Sequence, residues 1–187
     1  MRNNNKIGIV SIAEIQGLDF IIPEYQRGYR WEELQVVELL KDLSNFIENS
    51  RTGFYCLQPL VVKRSIVDCK AFYEQMRGKL DNMQGEPDPI GCLVEDLQHL
   101  TTWEVIDGQQ RLTTLYIIMM VLKHDPAYRI SYQTRPESKE FLENIMSKTQ
   151  EDGDENIDFQ HMILARNVAQ EWLKDKSDEE KALLYDT

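Results

Sequence analysis

A short β-prone run followed by a long apolar segment constrains the fold of this chain more than any other feature. Residues 103–106 form the β-prone run, and residues 112–122 are almost continuously apolar. Between them lies a polar corner, Asp-Gly-Gln-Gln-Arg at positions 107–111. The pattern predicts a strand that turns through Gly108 directly into a buried helix.

Such a corner is a common way to build an anion site. The first N–H groups of the helix have no partner within it, and the positive end of the helix dipole lies at the same place. Arg111 falls in the first turn, where a cation is unfavourable and needs a negative partner. A purely structural corner fits the spacing equally well, because Asp107 and Gln110 form an acidic variant of the capping box. Asp107 is also a candidate partner for Arg111.

A second polar segment precedes the first long helical pattern. Residues 21–31 read Ile-Ile-Pro-Glu-Tyr-Gln-Arg-Gly-Tyr-Arg-Trp. Arginine forks match phosphate oxygens, and aromatic rings stack on bases. The alternative is that Tyr29 and Trp31 pack against the following helix while the arginines are solvated.

Together, segments 23–31 and 107–115 resemble the N-terminal domain of the GmrSD-type modification-dependent restriction proteins, which belong to a group similar to the ParB N-terminal and sulfiredoxin fold. Segments 132–138 and 156–162 also resemble parts of that family. The resemblance runs from about residue 8 to about residue 175. It implies an α+β fold, with a small mixed sheet, packed helices and a helical C-terminal part.

The resemblance also implies a domain organisation. We expect a ParB/sulfiredoxin-like nucleotide-binding core over residues 1–125, in which residues 65–102 look like an insertion. Residues 126–187 are expected to form a helical extension. Family members generally continue further, so we expect this chain to be a fragment whose nuclease region lies beyond it.

The function that the resemblance implies is nucleotide binding, with hydrolysis of a Mg²⁺–nucleoside triphosphate as a candidate activity, in a phage-defence restriction system. DNA would be reached through the full-length protein and its C-terminal nuclease region or partner. The expected nucleotide or phosphate contacts are Tyr25, Gln26, Arg27, Arg30, Gly108, Gln109, Gln110, Arg111 and Thr113.

Individual roles follow from the same resemblance. The N–H groups of residues 108–110 would hold phosphate oxygens, and Arg27 and Arg111 would neutralise charge. Gln26 and Gln109 would orient phosphate or an attacking water, while Tyr25 or Tyr29 would contact sugar or base. The candidate catalytic residues are Asp107, Gln109 and Arg111. Three roles stay open for Asp107: helix cap, general base and Mg²⁺ ligand.

Composition limits the alternatives. The net charge of −11 argues against broad wrapping of DNA, although a basic patch can persist around Arg27, Arg30, Lys63, Arg64 and Arg111. Acidic runs at 81–100 and 151–158 are expected to be solvated. A domain that binds or nicks DNA directly and a non-catalytic assembly module remain as alternatives.

The other sequence features bear on metal binding and on the cellular compartment. Three scattered cysteines, Cys56, Cys69 and Cys92, have no metal-ligand spacing. No apolar run has membrane-spanning length, and no signal-peptide core follows the N-terminus. We therefore expect a cytoplasmic protein.

Periodicity predicts the other elements. Apolar residues at helical spacing indicate a helix over 32–49, and further helices are expected over 136–149, 159–175 and from 178 onward. A strand is expected at 6–10 and a short capped helix at 11–15. Residues 54–63 are β-prone, and Pro59 favours an edge position or an irregular start there.

Overall fold

The computed structural model describes residues 8, 10–49, 55–57, 59–64, 102–123, 125–154 and 156–186. These residues form a mixed four-stranded sheet packed against helices. The predicted α+β class is therefore confirmed.

The sheet has the strand order β2–β3–β1–β4. Its strands are β1 (Asp19–Ile22), β2 (Val61–Arg64), β3 (Thr102–Asp107) and β4 (Arg129–Tyr132). The central strand β1 runs parallel to both of its neighbours, whereas β2 is antiparallel to β3. As a result β3 ends beside the loop that leaves β1, which brings the two polar segments of the sequence to one edge.

Six α-helices lie in the described part of the chain. They are α1 (Glu33–Asn49), α2 (Gln109–Lys123), α3 (Ser138–Glu143), α4 (Gln150–Gly153), α5 (Ile157–Leu173) and α6 (Asp178–Asp186). Short 3₁₀ helices occupy Ala13–Ile15 and Ile145–Ser147. Helix α5 packs against both α1 and α2.

The core lies between one face of the sheet and these helices. Alternate strand residues, including Phe20, Ile22, Val105 and Ile130, point into it. In α2, ten of the fifteen residues are buried, which explains why its sequence is apolar on nearly every side rather than on one stripe. The first turn of α2 is thus fixed rigidly at the end of β3.

Several predicted elements are confirmed with small shifts. Helix α1 matches the prediction for 32–49, β3 matches 103–106, and β2 is an edge strand. A 3₁₀ helix follows Ser11, whose hydroxyl accepts a hydrogen bond from the N–H of Glu14 at 3.3 Å. The predicted strand at 6–10 lies mostly outside the described residues.

The helical extension predicted over residues 126–187 begins with a strand and continues with helices. Strand β4 pairs with β1 through four residues, so the sheet continues past the domain boundary predicted there. The signal was weak because β4 has only four residues. The predicted insertion 65–102 lies outside the described residues except for Thr102, as do Cys69 and Cys92.

Within the described ranges, no helix is both long and apolar enough to cross a membrane.

Candidate functional site

The two polar segments lie side by side. We call residues 23–31 the aromatic–basic loop and residues 107–111 the Gly108 corner. The side-chain amide of Gln26 donates to the carbonyl oxygen of Ile106 at 2.7 Å, and that of Gln109 donates to Oε1 of Gln26 at 3.0 Å. The loop is therefore attached to the end of β3 and to the start of α2.

Gln110 also connects the loop to the corner, through two hydrogen bonds to backbone groups. Its Nε2 donates to the carbonyl oxygen of Gly28 at 2.9 Å, and its Oε1 accepts from the backbone N–H of Arg30 at 2.8 Å. Gln109 and Gln110 are each only 7% exposed. Both side chains thus hold the loop, and their burial means that neither is simply a solvated polar residue.

These bonds overturn the capping-box interpretation of the corner. Gln110 points to the loop rather than back to Asp107, and Oδ1 of Asp107 accepts from the N–H of Gly108 at 2.8 Å. Among the described residues Asp107 also has no ion pair with Arg111. Asp107 therefore forms neither a capping box with Gln110 nor an ion pair with Arg111.

Gly108 is required by the geometry of the turn. Its φ is +94°, a conformation that residues with a side chain rarely adopt. A β-carbon at this position would lie 3.1 Å from Cδ1 of Leu60. The turn leads directly into α2, whose first helical bond runs from the N–H of Leu112 to the carbonyl of Gly108 at 3.0 Å.

The N-terminus of α2 retains donors. In the part of the chain that the structure describes, the backbone N–H groups of Gln109, Gln110 and Arg111 have no acceptor. The predicted donor set of residues 108–110 therefore shifts by one residue, because the Gly108 N–H is already bonded to Asp107. Three unbonded N–H groups at the positive end of a helix favour an anion.

Arg111 lies next to these donors without a negative partner. Its guanidinium carbon is 5.6 Å from the centroid of the Trp31 ring, a cation–π contact. Among the described residues no carboxylate pairs with it. Arg27, which is exposed in the loop, likewise has no ion pair within the described ranges.

A buried carboxylate that was not predicted as a site residue holds two further arginines. Asp158, at the start of α5, pairs with Nη1 of Arg30, and its Oδ2 lies 2.7 Å from Nε of Arg135. The second contact is an ion pair without hydrogen-bond geometry. The side chain of Asp158 is 1% exposed, so the prediction that the acidic run 151–158 is solvated is wrong at this residue.

Gly28 allows the carboxylate of Asp158 to approach the loop. A β-carbon at position 28 would overlap both carboxylate oxygens of Asp158. The loop, the start of α5 and the turn after β4 consequently meet at one point. The resemblance of segments 132–138 and 156–162 to the same family was the signal that could have indicated Arg135 and Asp158 in advance.

The charges of this region act on one another. Partial burial, and then the positive charges of Arg135 and Arg27, lower the pKa of Arg30 from its ordinary value. The hydrogen bond to Glu104 raises the pKa of the Tyr25 hydroxyl. Because Arg27 and Arg30 lie in the same loop, and Arg30 and Arg135 contact the same carboxylate, the three arginines form one basic cluster.

Of the tyrosine and threonine side chains predicted to contact the nucleotide, some are exposed and others are buried. Tyr25 is 62% exposed, whereas Tyr29 is 0% exposed and its hydroxyl bonds to that of Thr114 at 2.7 Å. Burial raises the pKa of Tyr29. Thr113 is fully buried, and its hydroxyl bonds to that of Tyr132 at 2.7 Å. We therefore remove Tyr29 and Thr113 from the candidate nucleotide contacts.

The Gly108 corner can contribute one ligand to a magnesium ion. No group of three or more His, Cys, Asp or Glu side chains with metal-site geometry occurs in the described ranges. Oδ2 of Asp107 has no partner among the described residues, because the Gly108 N–H donates to Oδ1. Mg²⁺ in nucleotide sites typically takes one or two carboxylates and otherwise phosphates and water, so this donor fits.

A cavity of about 320 Å³ lies elsewhere, between α1, α2 and α6. Its lining is mainly apolar and includes Leu43, Leu115, Ile118, Met119 and Leu122. None of the predicted site residues lines it.

The comparison with known families gives one match. The family model described as "GmrSD restriction endonuclease, N-terminal domain" matches residues 4–186. No curated protein and no solved structure matches the chain. Since the match covers almost the whole chain and includes both polar segments, the chain belongs to the GmrSD restriction endonuclease N-terminal domain family.

Proposed function

We propose that this chain is the nucleotide-binding domain of a DNA restriction system, and that the Gly108 corner binds the triphosphate. The restriction role follows from the family description. One observation carries the nucleotide assignment. Arg111 lies at the N-terminus of α2 beside three unbonded N–H groups and has no carboxylate partner among the described residues. An anionic ligand would satisfy all of these groups together.

The proposed contacts involve fewer residues than the sequence predicted. The N–H groups of residues 109–111 and the guanidinium of Arg111 bind phosphate oxygens. Arg27 and Arg30 contribute positive charge, because both lie in the aromatic–basic loop that Gln110 holds against the corner. Gln26 and Gln109, which are bonded to each other, orient phosphate or an attacking water.

Magnesium and hydrolysis belong to the same proposal. Mg²⁺ would neutralise phosphate charge, and Oδ2 of Asp107 would be its protein ligand. If hydrolysis occurs, Asp107 is the general-base candidate, since the Gly108 N–H fixes its other oxygen at the corner. We place the cleavage of DNA in a nuclease region or partner rather than in this site.

A second candidate is direct binding of DNA by the same arginines. It is favoured by the three arginines of this region, since Arg27 and Arg30 lie in the same loop and Arg30 and Arg135 contact the same carboxylate. It is disfavoured by the net charge of −11. A third candidate, an assembly module, is favoured by the internal bonds that Gln109 and Gln110 already make.

One titration separates these candidates. Binding of Mg²⁺–ATP and of a short DNA duplex is measured by fluorescence anisotropy across a fourfold rise in salt. Three phosphate contacts to a duplex would weaken binding about 40-fold over that range, through counterion release. We expect ATP to bind with a much weaker salt dependence and the duplex to bind poorly. Steep salt-dependent duplex binding without ATP binding would favour the second candidate, and no binding of either would favour the third.

A further inference from the structure

An exposed aromatic side chain is held in a fixed position beside the Gly108 corner. Tyr25 is 62% exposed, and its hydroxyl donates to Oε1 of Glu104 on β3 at 2.8 Å. An exposed tyrosine ordinarily moves among several rotamers. Here both ends of the side chain are fixed, one by the backbone and the other by Glu104.

The backbone around Tyr25 is fixed as well. The N–H of Gln26 donates to the carbonyl of Pro23 at 3.0 Å, which closes a turn. On either side, the N–H of Glu24 donates to Oε1 of Gln133 at 3.2 Å, and the side chain of Gln26 donates to Ile106 at 2.7 Å. The ring is therefore presented by a loop that is anchored at three points.

Exposed apolar side chains lie beside the Gly108 corner. Ile106 follows Glu104 by two residues on β3, at the point where the pairing of β3 with β2 shifts its register. Ile106 is 37% exposed, and its carbonyl is the acceptor of Gln26. Leu60 and Val61, near the other side of the corner, are also exposed. Exposed apolar groups that cluster around a polar site are typical of a ligand surface.

The position suits the organic part of a nucleotide. Glu104 and Asp107 are three residues apart on β3, which corresponds to at most roughly 10 Å at about 3.3 Å per residue, because the pairing of β3 shifts its register between them. This is comparable to the distance between the base and the terminal phosphates of an extended nucleoside triphosphate. The aromatic ring and the helix N-terminus therefore lie at opposite ends of a span that one nucleotide can occupy.

We propose that Tyr25 stacks on the nucleobase, that Ile106 lies against the same base, and that Glu104 is a positioning residue which holds the Tyr25 ring. This inference rests on the proposed function. It goes beyond it by separating the base surface from the phosphate site, and by assigning to Glu104 and Ile106 roles that the sequence motifs did not indicate. Recognition by stacking also means that this surface accepts different bases, because every base has a π-face.

The test compares ATP with inorganic tripolyphosphate, each with Mg²⁺, by titration calorimetry on the full chain. Wild-type protein should bind ATP more tightly than tripolyphosphate. Tyr25→Ala should weaken ATP binding by about 5-fold to 150-fold, the range of a base–aromatic stack, and should leave tripolyphosphate binding unchanged. Leu183→Ala, which removes another exposed apolar side chain on α6, is the matched control and should change neither affinity.

The positioning role of Glu104 has its own readout. Tyr25→Phe and Glu104→Ala both remove the hydroxyl–carboxylate bond and should cause similar, partial losses of ATP affinity. Glu104→Gln keeps an acceptor for the hydroxyl and should restore most of the affinity. A Glu104→Ala variant that binds ATP as wild type does would overturn this role.

Two outcomes overturn the inference in different ways. If ATP and tripolyphosphate bind equally and Tyr25→Ala changes neither, the base surface is wrong while the phosphate site stands. If neither compound binds, the proposed function fails, and this inference fails with it.

Discussion

Oε1 of Gln110 accepts a hydrogen bond from the backbone N–H of Arg30 at 2.8 Å, across 80 residues of sequence. The same side chain donates to the carbonyl of Gly28. One buried amide thus satisfies two backbone groups of the aromatic–basic loop and holds it against α2.

Replacement of Gln110 should therefore destabilise the fold. Gln110→Met keeps the volume but leaves the Arg30 N–H and the Gly28 carbonyl without partners, which should cost about 1–3 kcal/mol. Urea unfolding measures the loss. Gln170→Met, at an exposed position of α5, is the control and should change stability little. Equal stabilities of the two variants would show that the Gln110 bonds are unimportant.

Asp158 should contribute to stability through its two arginines. Asp158→Asn preserves shape but removes the charge that compensates Arg30 and Arg135. Because these arginines are 31% and 29% exposed, we expect a loss of about 1–3 kcal/mol, below the ~3–5 kcal/mol of fully buried pairs. Chemical denaturation provides the measurement. Exposed Asp175 serves as control, and an Asp175→Asn variant that is equally destabilised would contradict the assignment.

Gly28→Ala tests how closely the loop approaches α5. The added β-carbon would overlap the carboxylate of Asp158, so the loop or the helix must shift, at a cost of about 1–3 kcal/mol for overpacking. Gly8→Ala adds the same methyl group where no atom lies within 4 Å and should be neutral. Thermal unfolding of both proteins decides the point, and a neutral Gly28→Ala would mean that the loop is more loosely packed than described.

Arg111 should matter for binding far more than for folding. Its described contact is the one with Trp31, and a partly exposed cation–π contact contributes no more than about 1 kcal/mol. Arg111→Ala should thus fold normally and lose Mg²⁺–ATP binding, whereas Arg111→Lys should retain part of it. Parallel unfolding and calorimetric titrations measure both effects. Loss of stability by roughly 3–5 kcal/mol would instead indicate a structural arginine.

Local patterns predicted the parts of the fold that depend on neighbouring residues. The turn at Gly108, the burial of α2 and the amphipathic α1 all follow from residue spacing. Strands β1 and β4 did not, because each has only four residues and is stabilised by pairing with strands that are distant in sequence. The family resemblance alone predicted that the aromatic–basic loop and the Gly108 corner belong to one site.

The candidate site was predicted less completely, because its contacts cross long stretches of sequence. Asp158 follows Arg30 by 128 residues and lies in an acidic run that locally indicates a solvated segment. Burial also determines which of two identical residue types can contact a ligand. Tyr25 and Tyr29 are alike in sequence, yet only the former is exposed. Spacing alone carries no information about such differences.

Thermal unfolding with nucleoside triphosphates tests the central claim most directly. Each of ATP, GTP, CTP and UTP is added with Mg²⁺ to wild-type protein and to Arg111→Ala. At a hundredfold excess over the dissociation constant, binding adds about 2.7 kcal/mol to the unfolding free energy, which for a domain of this size raises Tm by about 5–10 °C. We expect that shift for wild type with at least one triphosphate and its loss in Arg111→Ala. No shift with any triphosphate, or the same shift in Arg111→Ala, would contradict a phosphate site at the Gly108 corner.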